Sequence, residues 1–504
     1  MNNNEIYKAA FKQFVWFCLW LAAARFSKGA SLSLMVILGV VWAFQSKTAK
    51  AFGVLAMIAI MVTVNPFILP KSGIAFTLGV RVGPLLICIA LALSGITVRQ
   101  KSGLPMGLMI LYLFVAIISS ARGWAPLVSY MKLLNFAAFF MGLWLGARRL
   151  SLGGEPLMEL RAVFLALCVF LVVGSIALLP FPSIATLEGL KFSRLDVTEA
   201  SAAFYQNMGY IVEQGEGSLL CGVTYHSQAL GALVTSALAW VICDLLFVEK
   251  RARFPHILLI VCSIFVLYKT RSRVALLGLM VTSAMVYFYL AKKVNLHPVA
   301  RRRMGSFLAM AAVLICIIAV IAEVRNNSIS RWVRKTNNAD SDNRSIGEAV
   351  TASRQGLIEM CMDDFKRNPL FGMGFQVAYY TPIFLQNSKG MVFSSPIEKG
   401  VWPVMVLGET GVVGEVVFIS FLLYFWIVGE RRRLFITITL MAVFLSTNMG
   451  EATLFSPGGP GGLEWLFCLI GGYTLDICSK TQTQLPWWRG GYFSRQEGVC
   501  LCVS

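Results

Sequence analysis

The sequence is poor in charge. Asp, Glu, Lys and Arg together make up 14% of it, where soluble domains carry about 25%. With 57% hydrophobic residues and a mean hydropathy of +0.71, that shortfall excludes an ordinary cytosolic enzyme and an intrinsically disordered chain. Histidine is scarce: His226, His256 and His297 are the three present. No CxxC, HExxH or P-loop pattern occurs, so the common metal and nucleotide signatures are missing. Of 12 cysteines, Cys361 alone falls in a long polar connection, which rules out a disulfide framework. Acidic residues number 25 against 44 Lys and Arg. That basic excess acquires a meaning only once it is placed along the chain.

What the sequence has instead is long apolar runs, many near the roughly 20 residues that cross a bilayer as a helix. Fourteen are legible between residues 11 and 478, with 12–14 as the range of the count. They include 51–70, 218–248 and 304–322. The runs are solid rather than alternating, which excludes a β-barrel. An all-α polytopic membrane protein is expected. A transmembrane bundle covers 1–322, interrupted by a polar segment at 182–217. A large polar loop covers 323–400, three further spans lie in 401–478, and a tail fills 479–504. Ala22-Ala23-Ala24 offers a leader-cleavage pattern, but a second span follows at once, so the first is read as retained.

Placing both termini in the cytoplasm gathers the basic clusters on one side. Arg148-Arg149, Lys250-Arg251, Arg301-Arg302-Arg303 and Arg431-Arg432-Arg433 then all lie inside, as the positive-inside rule demands. Much of the +19 net charge is therefore topology. No basic-aromatic soluble module is present, so a nucleic-acid partner is not expected. The loop 323–400 lies outside in this arrangement, and its ten bases against eight acids are nearly balanced.

Within that loop, Arg344 to Phe365 reads as a helix, with Ser345 as N-cap and Asn368-Pro369 as its stop. Arg354, Ile358, Cys361 and Phe365 fall on one face of it. An arginine on an apolar stripe is costly unless it meets an anion or snorkels. A tight turn follows, Asn368-Pro369-Leu370-Phe371-Gly372-Met373-Gly374, with Asn368, Pro369, Gly372 and Gly374 as its structural residues. Before the loop, Ser272-Arg273 opens a span. After it, Glu409-Thr410-Gly411-Val412-Val413-Gly414 lies inside the next. Arg271 aligns with the small residues Ala275, Gly278 and Thr282, whereas Arg273 aligns with Leu277, Met280 and Val281. Arg273 is preferred as a site residue if the helix begins there. Asp340-Ser341-Asp342 resembles a metal-binding DxD but stands in an Asn-rich stretch, and no metal is expected.

In this order and spacing, the S-R at a span start, the loop arginine, the N-P-L-x-G-x-G turn and the E-x-G-x-x-G span resemble the O-antigen ligase/polymerase family (Wzy/WaaL type). The motifs cover residues 271–414. The resemblance implies a GT-C-like membrane glycosyltransferase without metal or other cofactor. It would act on an undecaprenyl-diphosphate-linked oligosaccharide at the periplasmic face of the bacterial inner membrane. Its partners would be membrane lipid and, by extension, a chain-length regulator and a flippase. The family's His-Asn pair, about nine residues before the Glu of E-x-G, is replaced here by Gly400-Val401. That departure favours a polymerase of polysaccharide repeat units over a ligase to lipid A-core, and a transporter of the same lipid-linked glycan is the competing class.

The chemistry needs charge neutralisation on a leaving diphosphate, which arginine supplies through bidentate contacts. Arg273 and Arg354 are expected to bind it, with Arg271, Arg194 and Arg344 in support. If a side chain serves as general base for the acceptor hydroxyl, His226 and Glu398 are the candidates; a reaction without one stays open.

Overall fold

The computed structural model describes residues 3–65, 67–69, 74–99, 103–152, 155–186, 219–249, 254–293, 346–378, 401–450 and 453–483. These form an all-helical bundle, with no strand beyond two isolated bridges, Val64 to Thr224 and Thr186 to Leu220. In chain order the first half comprises α1 (Asn3–Phe26), α2 (Lys28–Phe44), α3 (Thr48–Thr63), α4 (Ile74–Ile96), α5 (Gly107–Ala121), α6 (Pro126–Leu150), α7 (Glu155–Ala177) and the short α8 (Pro182–Ala185). The second half comprises α9 (Ser227–Cys243), α10 (Phe254–Thr270), α11 (Arg273–Lys293), α12 (Ile346–Arg367), α13 (Trp402–Arg431), α14 (Phe435–Thr447), α15 (Pro460–Trp465) and α16 (Gly472–Thr483). Single π-helical turns, Asp244–Glu249 and Leu466–Gly471, extend α9 and join α15 to α16.

Five helices are long and apolar enough to cross a bilayer by length and composition: those spanning Gly79–Ile96, Pro126–Leu150, Pro156–Ala177, Ser227–Glu249 and Trp402–Arg431. Six shorter apolar helices pack among them. Large side chains on the bundle's flank stay exposed, Phe114, Leu134, Val261, Met280 and Leu423 among them. A flank of this kind is a lipid-facing surface, since a water-soluble fold rarely leaves contiguous apolar patches so large. The protein is a multi-pass, all-α membrane protein. Helix was expected in each span, and each has one except 304–322, which lies outside the described residues.

Two boundaries differ from expectation. The run 51–70 is helical only to Thr63. Asn65 precedes Pro66, and a residue before proline is pushed out of the helical region. The Asn65 side chain then donates to the carbonyls of Ile184 (2.7 Å) and Gly222 (3.1 Å). The run 218–248 begins its helix only at Ser227. Residues 219–226 form an irregular segment turning at Gly222, whose φ is +54°. Apolar composition alone does not reveal either break: the first follows from Pro66, and the second is held by bonds from distant segments, such as Asn65 to the Gly222 carbonyl.

Helix α4 lies on α6 and α2, α5 on α13, α1 on α7, α9 on α10, and α11 on α14. At the bundle's centre Phe136, Phe375, Phe418 and Phe455 cluster, with ring centroids 5.2–5.8 Å apart. At the end where α9 finishes and α10 begins, a buried polar knot ties four helices. Arg161 of α7 forks onto Asp244 (2.7 and 3.0 Å) and also reaches Glu249. Asp244 bonds His256 Nε2 (3.0 Å), and Tyr7 of α1 meets His256 Nδ1 (3.1 Å). Buried charges persist only when paired in this way.

Candidate functional site

The N-P-L-F-G-M-G turn and the E-x-G-x-x-G span form one interlocked unit. Gly411 has φ 65° and ψ −170°, so α13 is broken there into two stacked halves. A break leaves carbonyls of the first half and amides of the second without helical partners. The turn after α12 supplies them. Met373 N–H donates to the Gly408 carbonyl (3.0 Å) and Gly374 N–H to that of Glu409 (3.1 Å), while Val412 and Val413 N–H donate to the carbonyls of Pro369 (2.8 Å) and Leu370 (3.2 Å). Gly372 has φ +68°, and a Cβ there would overlap the Glu409 carbonyl; a Cβ at Gly411 would overlap that of Leu370. Both positions require glycine for conformation and for space. Ser119 of α5 completes the joint: its hydroxyl donates to the Glu409 carbonyl and accepts from Gly374 N–H (3.1 Å). Phe375, fully buried, plugs the turn into the central aromatic cluster.

This joint fixes α12 against the first half of α13. The helix spans Ile346–Arg367, close to the expected range. Its packed face carries Leu357, Met360, Cys361 and Asp364, whereas Ile358 and Phe365 are only half-buried. The packed stripe is thus turned slightly from the expected one, because Cys361 seats directly on Gly408 of α13. Arg354 remains in register with Leu357 and Cys361 on that face, and its side chain lies outside the description.

The arginine-bearing turn sits elsewhere, between α10 and α11. Arg271 is in the turn, with φ +49°, and Arg273 is the first residue of α11. Ser272 stands at the N-cap place, its hydroxyl accepting from Ala275 N–H (3.4 Å). Ala275, Gly278 and Thr282 form the packing face of α11, with Gly278 against Thr235 of α9 and Ser272 against Gly231. Small residues at such contacts let membrane helices approach closely. Periodicity had aligned Arg271 with this face. Because the helix starts two residues later, that alignment does not apply to it. Arg273 is half-buried, above a face that exposes Leu277 and Met280.

His226 ends a segment that is linked to this turn. It is the N-cap of α9 and not a residue within a span, and its Nδ1 accepts from Gln228 N–H at 3.2 Å. The segment it closes is joined to the turn by Leu220 N–H donating to the Lys269 carbonyl (3.3 Å). An Nδ1 that accepts is unprotonated, so a neutral ring carries its proton on Nε2. The N-terminal end of α9 adds its partial positive charge.

The structure links the segment before His226 to the α10–α11 turn through Leu220 and Lys269, seats Ser272 against Gly231 of α9, and joins the turn of Asn368, Pro369, Gly372 and Gly374 to α13. Arg194, Arg344, Glu398 and the Asp340-Ser341-Asp342 stretch lie outside the described residues. Sequence reading missed a buried carboxylate, Glu464 of α15, which accepts from the hydroxyls of Thr447 (2.7 Å) and Thr453 (3.2 Å). Thr447 in turn lines the wall of Gly278. The Pro457-Gly458-Gly459-Pro460-Gly461-Gly462 run just before it was the available signal. Also missed was Asp364, buried on α12, which accepts from Trp124 Nε1 at 3.0 Å.

Taken with the fold, these features define a polytopic membrane protein whose loop helix is locked to a broken span. Residues 258–419, about a third of the chain, match the family model Wzy_C, described as O-antigen ligase, and the match supports the O-antigen ligase/polymerase family for this protein. The matched stretch holds the α10–α11 turn, α12, the glycine turn and the break in α13. No curated protein matches the chain.

Proposed function

We propose that the protein transfers a glycan from an undecaprenyl-diphosphate carrier at the periplasmic face of the inner membrane, polymerising surface-polysaccharide repeat units. The observation that carries this reading is the joining of the Arg271–Arg273 turn to the segment that ends in the His226 cap. Guanidinium groups, an imidazole N–H and a helix N-terminus then bear on one place, which suits an anion.

The reaction breaks the bond between the sugar's anomeric carbon and the carrier phosphate oxygen. The electron pair leaves with the diphosphate. The acceptor hydroxyl oxygen bonds the anomeric carbon and releases its proton. Arg273, with Arg354 from α12, neutralises the charge growing on the leaving diphosphate. With Nδ1 engaged in capping, His226 serves as a donor to phosphate or sugar oxygen. Glu398 is then the side-chain candidate for the proton, unless the hydroxyl loses it late without help. No metal takes part in this scheme. The orientation has both termini in the cytoplasm and residues 323–400 in the periplasm, with a chain-length regulator and a flippase as working partners.

Transfer to lipid A-core is the second reading, favoured by the description of the matching family. Replacement of the family's His-Asn by Gly400-Val401 favours polymerisation. Deleting the gene and resolving surface polysaccharide on a gel separates the two. Single repeats capping lipid A-core are expected; intact polymer retained on the carrier would establish the ligase instead. Arg273→Ala and Arg354→Lys should each impair transfer by purified protein, since a point charge does not reproduce the guanidinium fork. Normal rates in both would refute the diphosphate site.

A further inference from the structure

A second set of basic residues lies where the link between α5 and α6 meets the turn after α12. Two segments far apart in sequence are stacked there reciprocally. Arg122, at the end of α5, lies over the Phe371 ring at 5.3 Å, and Arg367, at the end of α12, lies over the Trp124 ring at 5.4 Å. The pairing is held by Trp124 N–H donating to the Met373 carbonyl (3.1 Å), Trp124 Nε1 donating to buried Asp364 (3.0 Å), and Lys132 Nζ donating to the Gln376 carbonyl (3.0 Å). Arg122, Lys366 and Arg367 are all exposed. Asp363, paired with Lys366 at 3.2 Å, and Glu359 one turn before it are exposed acids on the same helix, and Asp364 is buried, accepting from Trp124. Counted with Lys132, four basic groups stand against these three acids. A guanidinium held over an aromatic ring still carries N–H donors of the kind that phosphate oxygens accept from.

The second observation is what runs up to this patch. On α5, Leu111, Phe114 and Ile118 are exposed and reach Arg122 at the next turn. On α6, Leu134, Met131 and Leu127 form a parallel exposed stripe that ends under Trp124. Both exposed stripes lead to the α5–α6 link that carries Arg122 and Trp124. Tryptophan and arginine at the ends of such stripes mark the headgroup level of a bilayer.

We propose that this patch binds the phosphate of an anionic glycerophospholipid, whose acyl chains lie along the α5 and α6 stripes. Two adjacent chain tracks under one phosphate-sized cationic cluster fit a diacyl lipid better than a single-chain prenyl carrier. The bound lipid would hold the end of α12, and with it the glycine turn locked into α13, at the membrane surface.

Native mass spectrometry of the full-length protein in detergent, titrated with equal dioleoylphosphatidylglycerol and dioleoylphosphatidylcholine, tests this. Wild-type protein should retain phosphatidylglycerol preferentially. Arg122→Gln with Arg367→Gln should lower its occupancy about 100-fold, the loss of two charge-assisted contacts at about tenfold each. The corresponding double lysine variant should keep most of the preference, since a phosphate accepts a point charge. Lys366→Gln, a residue outside both stacks, should lower occupancy several-fold and reads out the site even if the double glutamine variant unfolds. Equal occupancy of the two lipids in wild type, or unchanged phosphatidylglycerol binding in Lys366→Gln and the double glutamine variant, would overturn the proposal. So would variants that lose binding of a prenyl diphosphate while holding phosphatidylglycerol normally.

Discussion

Gly411→Ala tests the interlock between α12 and α13 directly. The substitution puts a side chain on a backbone at φ 65° and ψ −170°, a region reserved for glycine that costs other residues about 1–3 kcal/mol. Its Cβ would also fall within 2.5 Å of the Phe371 amide nitrogen, which is backbone and cannot rotate away. Relief requires the turn to withdraw, at the expense of at least one of the four backbone hydrogen bonds across the joint. An orphaned buried group costs about 1–3 kcal/mol more. The joint should therefore weaken by about 3–5 kcal/mol, which raises the population of the undocked form about 100- to 5,000-fold. Cys361, fully buried where α12 seats on Gly408, is the reporter. Its labelling by a membrane-impermeant maleimide should accelerate by that factor in Gly411→Ala, with a matching fall in glycan transfer. Gly107→Ala is the control, because a Cβ there meets nothing within 4 Å. A Cys361 labelling rate within about threefold of wild type, with full transfer, would refute the reasoning about the joint; the threefold margin is under 1 kcal/mol.

His226→Ala should lose the α9 cap and about 0.5–2 kcal/mol of stability, seen as a lower melting temperature in detergent. His226→Asn should restore the cap and the melting temperature, yet transfer should stay reduced about 10- to 100-fold if Nε2 donates to a charged oxygen; a normal rate in His226→Asn would leave the histidine a purely structural role. Arg161→Met removes the guanidinium shared by Asp244 and Glu249 and leaves Asp244 with His256, for which about 3–5 kcal/mol of destabilisation is expected, and an unchanged melting temperature would argue that the knot carries no net stability. An alkaline phosphatase reporter fused near Asn337 should be active, as a periplasmic loop requires, and activity only of a cytoplasmic reporter there would reverse the proposed orientation.

Much of the architecture follows from sequence alone because its cause is local. Solid apolar runs become helices in a membrane protein, where backbone groups must bond within the segment. The helix Ile346–Arg367 was readable from its composition and from the Asn368-Pro369 stop. The start of α11 at Arg273 was readable from Ser272-Arg273. Only the tertiary structure decided that the two glycine motifs are halves of one joint, because the bonds that fill the α13 break come from a turn nearly forty residues earlier. It alone turned His226 into a cap, since composition extended that span through residues 218–226, whereas bonds from Asn65 to Gly222 and from Leu220 to Lys269 tie the segment to distant parts of the chain. The Arg161 knot and the Glu464 carboxylate were hidden for the same reason. A buried charge is tolerated only through partners that chain order scatters, and folding alone brings those partners together.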